Sequence, residues 1–144
     1  MAGFVALGNN QYIGTLVNGT DNLENGVFVV PNWANGTAAV PADDASADGD
    51  VMFVCNEIDT VVEQAISDID FKIASGEYLK LKVPQAGEIF VTTKFKGNLV
   101  KGDVVAVGDG GTLEAIGTRT PKYKFVVEEV TTFLGANAVK VVAL

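Results

Sequence analysis

The residues whose spacing comes nearest to a chemical motif lie in the acidic stretch Asp43–Asp50. Asp44, Ser46, Asp48 and Gly49 follow the first half of a calcium loop, D-x-[DN]-x-[DN]-G. In such a loop, oxygen donors at alternate positions converge on a hard cation and the glycine makes the sharp turn. The pattern then stops: the twelfth position, where a bidentate Glu would close the shell, is Cys55. A solvated acidic loop is therefore the expectation, with weak divalent-cation binding as its alternative; no cofactor or metal is assigned. Glu128 and Glu129 are adjacent carboxylates, but in a strand neighbouring side chains point to opposite faces, so they are not expected to share a substrate. The glycine cluster GDGGTLEA lacks the G-K-[ST] ending of a phosphate loop and reads as a tight hairpin at Asp109-Gly110-Gly111. Cys55, the single cysteine, sits in the apolar run VMFVCN and is expected to be a buried thiol.

Histidine is absent from the 144 residues. That removes the commonest general base, the commonest zinc ligand and the Ser-His and Cys-His nucleophile pairs. No enzyme activity is expected; carboxylate-only catalysis is the least favoured option. The hydrophobic fraction of 48% is that of a globular chain, and no apolar run is long enough for a membrane helix. MAGFVALGNN lacks a basic n-region, so a cytosolic site of synthesis is the simplest expectation.

The net charge of −8 is unevenly distributed. Every Lys and Arg lies at Lys72 or later, so residues 1–71 carry eleven acids and no base, while residues 72–144 carry ten bases and seven acids. This polarity is unsuited to nucleic acid, which needs a concentrated basic surface. The two halves are expected to pair with each other, either within one domain or across a subunit boundary.

Hydrophobic patterning predicts a mainly β fold, a small barrel or sandwich with one short helix and an extended N-terminal arm. Residues 1–26 form the arm or an edge strand, and residues 27–144 a single β-rich domain. Val27–Val30 reads as a strand that Pro31 ends, and Ala34 to Asp50 as a surface loop. Val51–Cys55 is a buried strand. Ile58, Val61, Val62, Ala65, Ile66 and Ile69 make an apolar stripe at helical spacing, which predicts a short helix from about Thr60 to Ser67, followed by a strand from Ile69 to Ala74. Next, Leu79, Leu81 and Val83 face inward, with Tyr78, Lys80 and Lys82 outward. In GEIFVTTKF, Ile89, Val91, Thr93 and Phe95 alternate with Phe90, Thr92 and Lys94, which reads as a strand with one apolar face and one mixed. From Lys122 to Val130, Tyr123, Phe125 and Val127 point inward. TTFLGANA is read as a hairpin loop, and Val139–Leu144 as a closing, paired strand.

Interface candidates come from exposed aromatic and basic positions. Phe4 and Tyr12 lie in the two apolar clusters of the N-terminal stretch. Trp33 is a core or interface anchor. Lys80, Lys82, Lys94, Lys122 and Lys124, with Lys96 and Lys101, would make one basic sheet face if their strands lie side by side. Such a face is either simply solvated or docks on an acidic protein surface.

DNLENGVFVV, then SDIDFKIASGEYLKLKVPQAGEIFVTTKFKG, then VKGDVVAVGDGGTLEAIG and TPKYKFVVEEVTTF, together resemble the head decoration (capsid cement) proteins of tailed bacteriophages. The resemblance implies a structural, non-enzymatic virion protein on the capsid exterior that binds the phage major capsid protein and stabilises the shell. It also implies a homo-oligomer, often a trimer, and an N-terminal arm that reaches the shell or a neighbour. It assigns no individual residue a role. The competing expectations are another virion component, such as a tail-tube or fibre-base protein, and a β-rich carbohydrate- or small-ligand-binding module using Tyr12, Trp33 and Tyr78.

Overall fold

The computed structural model describes residues 12–56, 72–133 and 135–144. Those residues form two β-sheets. The first contains β1 (Tyr12–Ile13), β2 (Val17–Asn18), β3 (Phe28–Asn32), β4 (Thr37–Ala39), β5 (Met52–Val54) and β6 (Leu81–Lys82), in the order β1-β6-β5-β3-β4-β2. The second contains β7 (Ile89–Thr92), β8 (Val104–Val107), β9 (Leu113–Ala115), β10 (Phe125–Phe133) and β11 (Ala136–Ala143), in the order β7-β11-β10-β8-β9. Every pairing is antiparallel except β2 with β4. Both sheets curl, through a bridge between Val17 and Tyr78 in one and between Phe95 and Leu113 in the other. Neither closes into a barrel, so of the two expected architectures the fold is the sandwich. The expected helix at Thr60–Ser67 and the first half of the strand expected at Ile69–Ala74 lie outside the described residues, as do Phe4 and the rest of residues 1–11; in the described half only Ile73 pairs, as an isolated bridge to Leu23. Residues 12–18 supply β1 and β2, the two ends of the first sheet.

Strand alternation places a core on each face of the first sheet. Phe28 points toward the second sheet while the next residue, Val29, points the other way. On β5, Phe53 likewise opposes Met52 and Val54. Between the sheets, Phe28 lies 5.1 Å from Phe53 and 5.3 Å from Phe125, and Phe53 lies 4.9 Å from Phe90. These tilted and edge-on rings add directional attraction to their area burial. On the opposite face of the first sheet, Leu16, Leu23, Val29, Ile73, Leu79 and Leu81 make the second core.

Buried polar groups join the layers. The Thr92 hydroxyl donates to the carbonyl of Gly26 at 2.7 Å, tying β7 to the first sheet. The Asn18 side chain donates to the carbonyl of Ile73 at 2.9 Å. The expected hairpin at Asp109–Gly111 is present, joining β8 and β9. Gly111 is required there: its φ is +79°, and a Cβ would stand 2.2 Å from the carbonyl oxygen of Phe28.

Several expectations are corrected. Pro31 does not end β3, which continues to Asn32 and pairs Pro31 with Ala38. β3 pairs with β5 only at Phe28 and Val29, so at Pro31 one side of the strand carries no ladder bond for a missing N–H to break. Ala34 to Asp50 is not a continuous loop, since it contains β4 and a 3-10 turn at Ser46–Asp48. On β7 it is the mixed face that turns inward: Phe90 and Thr92 are buried, and Ile89 and Val91 of the apolar face are exposed. TTFLGANA is mostly strand, because β10 runs to Phe133 and β11 starts at Ala136. Cys55 is half-buried, its thiol donating to the carbonyl of Lys80 at 3.4 Å.

Candidate interface surfaces

The lysines do not assemble into one basic face. β1 pairs with β6 so that Tyr12 sits opposite Lys82. This register brings the Lys80 and Lys82 ammonium groups to 4.3 Å and 5.0 Å from the Tyr12 ring centroid, within cation–π range. Lys82 is not outward as expected: its side chain is 13% exposed and its ammonium lies 2.7 Å from Glu88. Lys94 is held by Glu24, which also holds Lys72. Lys122 pairs with Asp50, while Lys124 is exposed just ahead of β10. Tyr12, Lys80 and Lys82 thus form one group, and Lys94 and Lys122 belong to two others.

Those ion pairs answer where the two halves of the charge meet. Glu24 with Lys72 and Lys94, Asp48 with Arg119, and Asp50 with Lys122 each join an acid of residues 1–71 to a base beyond them. At these points the acidic and basic halves meet inside the chain. Burial alone would push the Glu24 carboxyl up, but hydrogen bonds from Lys72 and Lys94 outweigh it and hold the group below its usual value.

The acidic loop is occupied by the protein's own donors. Asp43 accepts from the backbone and the hydroxyl of Ser46, each at 2.7 Å. Asp44 accepts from the backbone N–H of Asp109 at 3.0 Å. Arg119, a residue the sequence reading passed over, donates through Nη2 to Asp48 at 2.6 Å, to the carbonyl of Val107 at 2.7 Å and to the carbonyl of Asp44 at 3.1 Å. It fastens the loop to β8. Among the described residues, no group of three or more His, Cys, Asp and Glu is placed to hold a metal ion. Beside Asp44, Glu114 has a buried Oε1 without a hydrogen-bond partner. Burial first, then the charge of Asp44, push the Glu114 carboxyl up, whereas the Asp109 N–H chiefly holds Asp44 below its usual value.

The Glu128–Glu129 pair departs from strict alternation. The ladder between β10 and β11 shifts between Val127 and Glu129, leaving Glu128 as the extra residue of a bulge. Both residues line one open depression, with Leu99, Val100, Lys101 and Val130. Glu128 lies 3.7 Å from Lys140.

Among the described residues, the two most exposed aromatics belong to the first sheet's connections. Trp33, in the turn between β3 and β4, is 57% exposed, and Tyr78 is 68% exposed, which removes the core alternative for Trp33. Val17 bridges to Tyr78, and its N–H donates at 3.0 Å to the carbonyl of Gly36, in the same turn as Trp33. Comparison of the chain with protein-family models, with curated proteins and with solved structures finds no match.

Proposed function

We propose that this chain is a non-enzymatic structural protein of a tailed-phage head, binding the outer surface of the shell through the major capsid protein and stabilising it. The observation that carries this reading is the two large exposed aromatics of the first sheet, Trp33 in the turn between β3 and β4 and Tyr78 bridged to Val17 of β2. Amphipathic rings that are solvated in the free chain and supported by a packed sheet have the character of interface hot spots. The sheet beneath them has a core on each face, so little ordering cost is left to be met on binding. Binding to one state of the shell would stabilise that state by mass action.

The test is co-sedimentation of the protein with capsids that lack it. Saturable binding at a fixed ratio to the capsid protein is expected, with greater heat resistance of the loaded shells. Trp33→Ala and Tyr78→Ala should each weaken binding by about 2 kcal/mol, roughly 30-fold, without changing the melting temperature of the free protein. Rings or tubes formed by the protein alone, with no capsid binding, would assign it to the tail. The same two aromatics favour a carbohydrate-binding module as the second reading. Neither capsid binding nor assembly, with glycan binding that depends on Trp33, would establish that one.

A further inference from the structure

We infer that β7 is a self-association edge, at which two copies of the chain join their second sheets in an antiparallel, two-fold pair centred on Phe90. β7 is the end strand of its sheet, and among the described residues no strand pairs with the other side of Ile89–Thr92; pairing with β9 begins only beyond it, where Leu113 bonds to Lys94 and Lys96. On its β11 side, Ala143 donates to the carbonyl of Glu88, and the register sets Val141 against Phe90 and Val139 against Thr92. Antiparallel hydrogen bonding alternates, so Phe90 and Thr92 bond toward β11, while Ile89 and Val91 direct their backbone groups to the open side. Ile89 is 56% exposed and Val91 40% exposed. Edge strands are ordinarily guarded by charge, proline or a bulge. Ile89–Thr92 carries none of these.

The choice of a second copy follows from the strand's own symmetry. A two-fold axis at Phe90 sets Ile89 opposite the partner's Val91, and Val91 opposite the partner's Ile89, so all four apolar side chains meet on one face. Behind Ile89, the register aligns Val142, Val126 and Val104 across the sheet, continuing the apolar row away from the joint. The charges agree with this direction. Glu88 precedes the strand and Lys94 follows it, so antiparallel pairing brings each Glu88 diagonal to the partner's Lys94. Parallel pairing would instead set like charges together. The joint is a dimer contact, unlike the trimer implied by the phage resemblance, and it does not depend on capsid binding.

Sedimentation velocity over a concentration series tests the pairing with the whole chain and no capsid. The expected result is a mass that doubles with concentration. Ile89→Lys combined with Val91→Lys should weaken the association by at least about tenfold while the melting temperature holds, because both side chains are already exposed. Register is tested by cysteine cross-linking in a Cys55→Ser background. Ile89→Cys mixed with Val91→Cys should give a disulfide-linked dimer, and each variant alone should not, since opposite residues of a bonded pair lie about 5.5 Å apart at Cα. A wild-type chain that stays monomeric throughout would overturn the proposal, leaving β7 free for a strand of another protein. Association unaffected by the two lysines, or equal cross-linking in the single variants, would overturn it as well.

Discussion

Glu114 shows how one side chain can be held at a cost. Its Oε1 occupies space that exists only because residue 108 is glycine, since a Cβ there would stand 1.4 Å from that oxygen. Asp44 is beside it, and the Nη2 of Arg119 is taken by Asp48 and two backbone carbonyls, so that guanidinium offsets the burial and the Asp44 charge only in part. A carboxyl whose folded pKa is raised contributes stability below its unfolded pKa and loses that contribution as pH rises through the folded value. Asp44, lowered by the Asp109 N–H, behaves oppositely and weakens the fold as pH falls. Glu114→Gln keeps the shape and removes the titration. It should therefore raise the melting temperature near pH 7, with the gain shrinking toward about pH 4, where wild-type Glu114 is itself protonated. Thermal melts across that range decide it; a gain independent of pH would show that the carboxylate's charge is not the cost.

At the scale of elements, β11 is the keystone of the second sheet, paired on one side to β10 and on the other to β7. Deleting Val139–Leu144 would strip β7 of its partner and take Val139, Val141 and Ala143 out of the core. A truncated chain should show no cooperative melting transition by circular dichroism; a soluble chain melting cooperatively would refute this. This strand was legible in sequence, as were Phe125 and Val127 on β10, because an apolar period of two survives there. β7 was not. In Ile89-Phe90-Val91-Thr92 both faces are apolar enough to be inside, so periodicity cannot choose between them. The choice is made by the Thr92 hydroxyl, whose acceptor Gly26 is 66 positions away. Tyr12 and Lys82 were singled out separately, and only the β1–β6 register brings them together. The apolar row behind Ile89 was invisible for the same reason: its members are neighbours only across strands.

The molecule as a whole is unified by Phe28. It belongs to β3 of the first sheet, yet its ring packs against Phe90 and Phe125 of the second. The ring is fully buried, so Phe28→Ala should cost about 3–5 kcal/mol. Because the two sheets share this core, denaturant unfolding of that variant should remain a single transition with a lowered midpoint. Two separate transitions would show that the sheets unfold independently.

The division of charge along the chain also gives the molecule an order of events at birth. During translation the first 71 residues emerge with eleven acids and no base, so this nascent half repels itself and the polyanionic ribosome alike. Glu24, Asp48 and Asp50 must wait for Lys72, Lys94, Arg119 and Lys122 to be made. Phe28 waits longer still, since the sheet it docks on includes β11, which follows every other strand in the sequence. The core between the sheets therefore closes only once β11 has been made, and until then the acidic half helps to keep the unfinished chain in solution.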